Sequence, residues 1–599
     1  MQTEINNRYG DPAANITERV EALLAQMTLA EKIGQMTQVE KNSITPEEVT
    51  ARAIGSVLSG GGGNPDPNNA QNWREMVQSF AKAALETRLA IPLIYGVDAV
   101  HGHSNVVGAT IFPHNVGLGA AGDADLIERI AQVTARELLA TNVHWDFAPA
   151  VSTPQDVRWG RSYEGYSEQT ELVTKLAMAF IRGLHTKDEQ GRWVLPSVKH
   201  FVGDGGTTWG STVRAPWLPG SNWQGPTEMF QIDQGDTRLD EETLRRVHLA
   251  PYVEAIKAGV QNIMVSFSSV NGTKMHANYH LLTEVIKQEY GFEGFLVSDW
   301  MAIDQINESF YESVVSSINA GLDMIMVPYD YRRFIDTLTE AVNKGDVSQE
   351  RIDDAVRRIL RAKFLLGLFE QPLVEDIPAE IVGAPEHRAL AEEAVRKSLV
   401  LLKNENQALP ITSETRRVFI AGDAADDIGL ACGGWTISWQ GERGATTQGC
   451  TLIDGLRTYA GNLDYEREGN FSERGDLGIV VISEEPYAEG MGDRGDLTLT
   501  EAQKQLISRV RQQTDKLVLV IYSGRPLIIT DVVDQCDAIV AAWLPGSEAH
   551  AAAEVLFGKV PFTGKLSYNW PRSMEQIPVS ALKASDEPPL YPFGHGLTV

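Results

Sequence analysis

Gly294-Phe295-Leu296-Val297-Ser298-Asp299-Trp300 reads as a short buried strand that stops abruptly at a carboxylate beside an indole. Four apolar or small residues in a row suit a strand covered on both faces, the condition met in parallel sheets. The same pattern recurs upstream and downstream at 54–58, 91–97, 143–148, 194–198, 262–267 and 322–327, each followed by polar or glycine-bearing sequence and then an amphipathic stretch. This strand and helix rhythm across the first 370 residues predicts a parallel (β/α)8 barrel of the TIM type. Such a barrel carries its active site in the loops after the strands. Those positions hold Asp98, Arg161, Lys199 with His200, and Asp299, a convergent polar set.

A stretch at 371–385, where Pro372, Pro378 and Pro385 break helical periodicity, predicts a linker. Beyond it, apolar runs at 400–402, 418–421, 477–483, 517–522 and 538–543 alternate with helical segments such as 501–513, the pattern of a smaller α/β sandwich. The expected division is a barrel over 10–371, a linker over 372–386 and a sandwich domain over 387–599. A chain of 599 residues exceeds a single ordinary core, in keeping with two domains.

Composition narrows the function. With 43% hydrophobic and 22% charged residues the chain is of ordinary globular type, and no window reaches the roughly 18 apolar residues that cross a bilayer. Eighty acidic against 52 basic residues give a formal charge of -28, which repels phosphate backbones and argues against nucleic acid as a partner. The expectation is a soluble protein with no membrane partner. The polar start at residues 1–15 shows no secretory leader; the expected location is periplasmic or secreted, with the signal absent from this chain, and a cytoplasmic one is the alternative. Cys432, Cys450 and Cys536 lack metal-ligand spacing and read as free structural thiols, with a Cys432–Cys450 disulfide the alternative.

The chemistry comes from a second carboxylate far from Asp299, in Glu489-Gly490-Met491-Gly492-Asp493-Arg494. Two carboxyls on separate segments are what glycosidic hydrolysis needs: one acid to protonate the leaving oxygen, one carboxylate to meet the oxocarbenium-like carbon. A lone Asp at a strand end is more often a cap or turn residue. Neighbouring motifs change that balance: Tyr95-Gly96-Val97-Asp98-Ala99-Val100-His101-Gly102, Arg158-Trp159-Gly160-Arg161-Ser162-Tyr163-Glu164, Lys199-His200-Phe201-Val202-Gly203-Asp204-Gly205-Gly206 and Val297-Ser298-Asp299-Trp300. In combination these resemble glycoside hydrolase family 3. The opening Met27-Thr28-Leu29-Ala30-Glu31-Lys32-Ile33-Gly34-Gln35-Met36 and the closing Pro592-Phe593-Gly594-His595-Gly596-Leu597 extend the likeness over nearly the whole chain.

Cys432-Gly433-Gly434-Trp435-Thr436-Ile437-Ser438-Trp439-Gln440-Gly441 is most similar to the two-domain plant-type exo-β-glucanases and β-glucosidases of that family. The resemblance implies a retaining mechanism on β-linked gluco-oligosaccharides or β-glucan, with Asp299 as nucleophile and Glu489 as acid/base, and with no cofactor or metal. It implies carboxyl groups about 5–5.5 Å apart. Arg161 and Lys199 are expected to keep Asp299 ionised, and aromatic neighbours to keep Glu489 protonated. Asp98, Arg161, Lys199 and His200 match the family's sugar-holding residues, and Trp300 with Trp439 match a clamp on the leaving-side glucose. Trp435 reads evenly as core or clamp. Glu164 and Asp204 read evenly as substrate ligands or as partners in a buried ion-pair network.

Glu484 and Glu485 are the alternatives to Glu489 for the acid; the nearby Gly492-Asp493-Arg494 element favours Glu489. Met264 and Phe267, in Met264-Val265-Ser266-Phe267, flank the site, with Phe267 where the plant-type enzymes carry Tyr and Gln305 where they carry Arg. The 208–232 segment, with Trp209, Trp217 and Trp223, reads as an insertion that lines the entrance or packs on the rim. Gly60-Gly61-Gly62-Gly63-Asn64 lacks the ending of a phosphate loop and reads as a flexible turn. Asp423, Asp426 and Asp427 lack calcium-loop spacing and read as caps and solvated charge. Competing readings are a β-xylosidase or N-acetyl-β-glucosaminidase of the same family, and a non-catalytic carbohydrate-binding protein. Gly203-Asp204-Gly205-Gly206-Thr207 lacks the histidine that the one-domain N-acetylglucosaminidases use as acid.

Overall fold

The computed structural model describes residues 8–218, 229–412 and 414–599. Among them eight strand positions, all paired in parallel, close into a barrel: Thr37–Glu40, Ser56–Ser59, Ile94–Val97, Trp145–Asp146, a fifth strand broken at Ser197 into Leu195–Pro196 and Val198–Phe201, then Asn262–Val265, Phe295–Val297 and Ile325–Met326. The bridges Ala150 to Lys199 and Val297 to Met324 join the two arcs of the cylinder. Seven of these strands overlap the apolar runs of the sequence. The first, Thr37-Gln38-Val39-Glu40, does not, because three of its four residues are polar and find hydrogen bonds for most of their side-chain atoms inside the barrel, Gln38 Oε1 excepted. Gln38 Nε2 donates to Ser56 Oγ at 2.9 Å, and both residues are fully buried. Interior hydrogen bonding thus replaces apolarity as the reason this segment is a strand.

Helices cover the barrel, and their starts are capped as the sequence dictates. Asn69 accepts from the Asn72 N–H at the head of Ala70–Leu85, and Asp123 accepts from the Asp125 and Leu126 N–H groups at the head of Ala124–Ala140. That helix buries Leu126, Ile127, Ile130 and Leu138 and packs on Thr170–Leu184. Each such side chain contributes about 1.5–3 kcal/mol. The two helices touch at Gly183, where a Cβ would lie 2.4 Å from the Glu128 carbonyl oxygen. Glycine is therefore required there by the approach of the backbone.

The second domain is a six-stranded sheet in the order Leu463–Tyr465, Val418–Ala421, Gly475–Ser483, Thr514–Tyr522, Ala538–Trp543, Val400–Asn404, parallel except for the last pair. Alternate residues of its central strands feed two separate cores. Val518, Val520 and Tyr522 face one apolar cluster, while Leu517, Leu519 and Ile521 share another with Val116, Ala120 and Tyr163 of the barrel. Burial on both faces explains why these strands read as continuous apolar runs, and the second cluster joins the domains. Leu463–Tyr465, a short half-buried strand at the sheet edge, escaped the sequence reading because it has no such run. The closing motif returns to this sheet, where the Leu597 N–H donates to the Leu401 carbonyl at 2.8 Å. Among the described residues no helix is long and apolar enough to cross a membrane. All three cysteines are free; Cys432 and Cys536 are buried, whereas Cys450 is exposed.

Candidate active site

A cavity of about 480 Å³ opens between the strand ends of the barrel and the 435–439 and 489–492 segments of the second domain. Asp98, Arg161, Lys199, His200, Met264, Phe267, Asp299, Trp300, Trp435, Trp439 and Glu489 all line it. Asp299 lies two residues beyond the end of the strand Phe295–Val297, and the Trp300 N–H donates to its Oδ1 at 2.7 Å. The other oxygen, Oδ2, is buried and has no hydrogen-bond partner. The Asp299 N–H is itself held by His276 Nε2 at 3.1 Å, which fixes the backbone of the carboxylate.

Glu489 reaches the cavity from a 3-10 turn, Glu489–Gly492, in which its own φ is +54°. The turn fits against the barrel so closely that a Cβ on Gly160 would lie 2.0 Å from the Glu489 carbonyl oxygen. Asp493 stitches it down, accepting the Gly160 N–H at Oδ1 and the Ile232 and Asp233 N–H groups at Oδ2, all at 2.9 Å. The alternatives are engaged elsewhere. Glu484 is buried against Arg525, Tyr487 and Arg494, and the Glu485 side chain is 70% exposed; neither lines the cavity.

One network links the charged residues. Arg161 donates to both oxygens of Glu164 at 2.9 Å, to Glu489 Oε1 at 3.3 Å and to His200 Nε2 at 3.0 Å. His200 Nδ1 donates in turn to Asp204 Oδ2 at 3.0 Å, which also receives Ser152 Oγ at 2.6 Å. This pattern requires a neutral imidazole with its proton on Nδ1. Burial, with Arg161 and Lys199 nearby, agrees, holding His200 well below its usual range. Lys199 Nζ donates to Asp98 Oδ1 at 2.7 Å. Glu164 and Asp204 hold Arg161 and His200 in place, which favours the network reading of both.

Arg161 and Lys199 are expected to favour the charged form of Asp299, and they do so without prevailing. They do pull its carboxyl down, but burial outweighs them and pushes it up to about 7. Glu489 lies well above the usual carboxylate range, first through burial and then through repulsion from Asp233, Asp299 and Glu164, against the pull of Arg161. Burial first, and neighbouring carboxylates second, thus account for its protonation. Asp233 was missed in the sequence; it is buried, and Trp159 Nε1 donates to its Oδ1 at 2.9 Å.

Aromatic rings form the remaining wall. Trp435 is buried, its Nε1 donates to Glu164 Oε1 at 3.1 Å, and its face looks toward Lys199 Nζ at 5.7 Å and the Arg161 guanidinium at 6.0 Å. Trp300 and Trp439 are half-buried, and Tyr329 stands edge-on to Trp300 with ring centroids 5.6 Å apart. The glycine run, expected to be flexible, is packed between them. A Cβ on Gly60 would lie 2.8 Å from Cζ3 of Trp300, and one on Gly61 would lie 2.6 Å from Cα of Trp439. Asn64 Nδ2 ties the run to the Ile437 carbonyl at 3.1 Å. Gly61→Ala must therefore displace the backbone that carries Trp439 and change its spacing from Trp300. We expect kcat/KM on the β-linked gluco-oligosaccharides that the sequence resemblance implies to fall roughly tenfold while an aryl β-glucoside is spared; equal losses on both would contradict a clamp set by this spacing.

Met264 is almost fully buried and Phe267 nearly so. Gln305, where an Arg stands in the plant-type pattern, is spent on Gln234 and Lys274 and does not reach the cavity. In the 208–232 segment, Trp209 lies under the Arg158 guanidinium at 4.5 Å and Trp217 Nε1 donates to the Asp304 carbonyl, so both pack on the rim outside the cavity; Trp223 lies outside the described residues. Phe230 packs against Gly490, where a Cβ would meet its ring at 2.2 Å, and so braces the turn of Glu489. Asp427 caps Ile428–Cys432, and Asp423 pairs with Arg443 and Arg467, as caps and surface charge should.

The geometry accords with known proteins. Residues 28–224 and 227–362 match the Glycosyl hydrolase family 3 N terminal domain, and residues 399–599 match the Glycosyl hydrolase family 3 C-terminal domain. A lysosomal beta glucosidase of Dictyostelium discoideum is 32% identical over 97% of this chain and 75% of its own length. A variant of an exo-1,3/1,4-beta-glucanase from a Pseudoalteromonas species superimposes with a TM-score of 0.90 at 40% identity, over 98% of this chain and 96% of that one. A variant of a beta-glucosidase from Listeria innocua, in complex with laminaribiose, does so with a TM-score of 0.81 at 26% identity, over 97% of this chain and 83% of that one.

Proposed function

The chain belongs to glycoside hydrolase family 3, and on that premise we propose that it is a retaining, exo-acting β-glucosidase or exo-1,3/1,4-β-glucanase that releases glucose from the non-reducing ends of β-glucans and their oligosaccharides. The observation that carries the proposal is a pair of buried carboxyls from two domains facing one cavity, with Asp299 Oδ2 unpartnered and Glu489 well above the usual carboxylate range. In the first step Asp299 Oδ2 attacks the anomeric carbon while the Glu489 carboxylic acid gives its proton to the departing glycosidic oxygen. The glycosidic C–O bond breaks and a glycosyl ester forms on Asp299. In the second, the Glu489 carboxylate takes a proton from water, the water oxygen attacks the same carbon, and Asp299 leaves as a carboxylate.

Asp98, Lys199, Arg161 and His200 would hold the hydroxyls of the terminal glucose through charge-assisted bonds. Trp300 and Trp439 would stack on the next ring, with Trp435, Met264 and Phe267 completing the walls. Saturating one terminal ring in this way favours attack at chain ends. The reading keeps the nucleophile in 10–371 and the acid in 387–599, joined by 372–386.

Proton NMR of short β-1,3 and β-1,4 gluco-oligosaccharides during hydrolysis tests the proposal. β-Glucose is expected to appear first, with α-glucose growing only by mutarotation. α-Glucose first would overturn the retaining mechanism, and absence of glucose from both series would overturn the substrate.

A further inference from the structure

Far from the sugar cavity, the segment before helix Leu452–Tyr459 runs beside the 547–550 turn. The Cys450 N–H donates to the Ser547 carbonyl at 2.8 Å and the His550 N–H to the Cys450 carbonyl at 3.2 Å. Cys450 and Glu548 form an isolated parallel bridge. The backbone therefore sets three side chains together: a Cys450 Sγ, a Glu548 carboxylate oxygen and a His550 ring nitrogen lie within 4.8 Å of one another.

What surrounds these atoms decides their reading. Glu548 Oε1 is taken by Arg388 Nη1 at 2.6 Å and Ser547 Oγ at 3.0 Å, which leaves Oε2 toward His550 Nδ1 at 3.7 Å. On the other side of the ring, Glu392 Oε1 stands 3.4 Å from His550 Nε2 and favours the tautomer protonated there. Nδ1 is then a bare lone pair, and it is buried with no hydrogen-bond partner. A carboxylate behind a histidine, and a second oxygen anchored by donors, are the outer supports that orient metal ligands.

We propose that Cys450, Glu548 and His550 form a binding site for a thiophilic divalent cation, zinc above all, with solvent at the fourth position. A tetrahedral ion bonded at about 2.0–2.3 Å sets its ligand atoms about 3.3–3.6 Å apart, so the present spacing needs only side-chain adjustment. One thiolate, one carboxylate and an imidazole suit zinc better than calcium or magnesium, which take oxygen ligands. The Arg388 and Arg396 guanidinium groups are offset by the Glu392 and Glu554 carboxylates, so thiolate and Glu548 together balance the ion. Binding releases the Cys450 thiol proton to solvent as the sulfur–zinc bond forms, so affinity rises with pH. Arg388 also donates to the Gly108 carbonyl at 2.9 Å, and the Gly108 N–H donates to Thr447 Oγ1 at 3.0 Å. The ion would thus brace the seam between barrel and second domain, independently of the sugar chemistry.

Equilibrium dialysis of the full, chelator-stripped chain against zinc in a non-chelating reductant tests the proposal, with cobalt as a spectroscopic probe. One zinc per chain and a thiolate-to-cobalt charge-transfer band are expected in the parent, and both are expected to vanish in Cys450→Ala. Glu392→Gln should keep the band and weaken binding about 10- to 100-fold. His550→Ala is a second ligand variant, with unliganded Tm as the folding check on both. No zinc retained by the parent, or equal retention by Cys450→Ala, would overturn the site.

Discussion

Asp299→Ala is expected to lower kcat on laminaribiose by on the order of 10^4-fold or more, the scale seen when a covalent nucleophile is removed. Binding of the disaccharide should change little, because the residues proposed to grip its hydroxyls remain. Azide, small enough to enter the space vacated by the carboxylate, should restore turnover of an activated glucoside and give the α-glucosyl azide. A variant that hydrolyses laminaribiose at the parent rate would refute the nucleophile and favour a carbohydrate-binding role. The same position carries a stability signature. Its carboxyl lies near 7 in the folded chain, against about 3.9 when unfolded. The folded state therefore keeps a proton that the unfolded state gives up, and the stability this confers at low pH is lost as pH rises through 7. Asp299→Asn should accordingly gain more in Tm over the parent at about pH 8 than at about pH 4.5. The reverse order would refute the raised carboxyl.

Glu489→Gln should cost about 10^2- to 10^4-fold in kcat/KM on laminaribiose, the range for a lost general acid. The loss should shrink sharply on a dinitrophenyl β-glucoside, whose leaving group departs without a proton. In the parent, activity should fall as pH drops through about 7, where Asp299 protonates, and fall again at higher pH as Glu489 ionises. The variant should lose the high-pH limb and keep the low one. Equal losses on both leaving groups, or an unaltered profile, would exclude Glu489 as the acid and direct attention to another group.

Much of this site was legible because the chemistry sits at predictable places in a parallel barrel. Asp98 follows its strand directly and Asp299 follows its own one residue later, while Lys199 and His200 lie within the last segment of the fifth. Glu40 illustrates what was hidden. It lines the cavity from the end of Thr37–Glu40, a strand whose polar residues look unlike a buried run until Gln38 Nε2 is seen to donate to Ser56. Tyr329 and Phe147 likewise line the cavity without any local signal of it. The glycines at 60 and 61 carry no hint of their partners, since a close approach is visible only once Trp300 and Trp439 are in place.

Sequence by itself determined the two-domain α/β architecture and the strand ends that carry Asp98, Lys199 and His200, because strand periodicity and strand-end chemistry are local properties; the pairing of Asp299 with Glu489 came from the family resemblance and stands as a proposal. Tertiary structure alone decided how those groups behave. The lift of Asp299 to about 7, the company of Asp233 around Glu489, the neutral tautomer of His200 and the meeting of Cys450 with Glu548 and His550 all depend on burial and on neighbours distant along the chain. Desolvation and Coulomb interaction act through space, and spacing along a chain does not encode distance in a folded one.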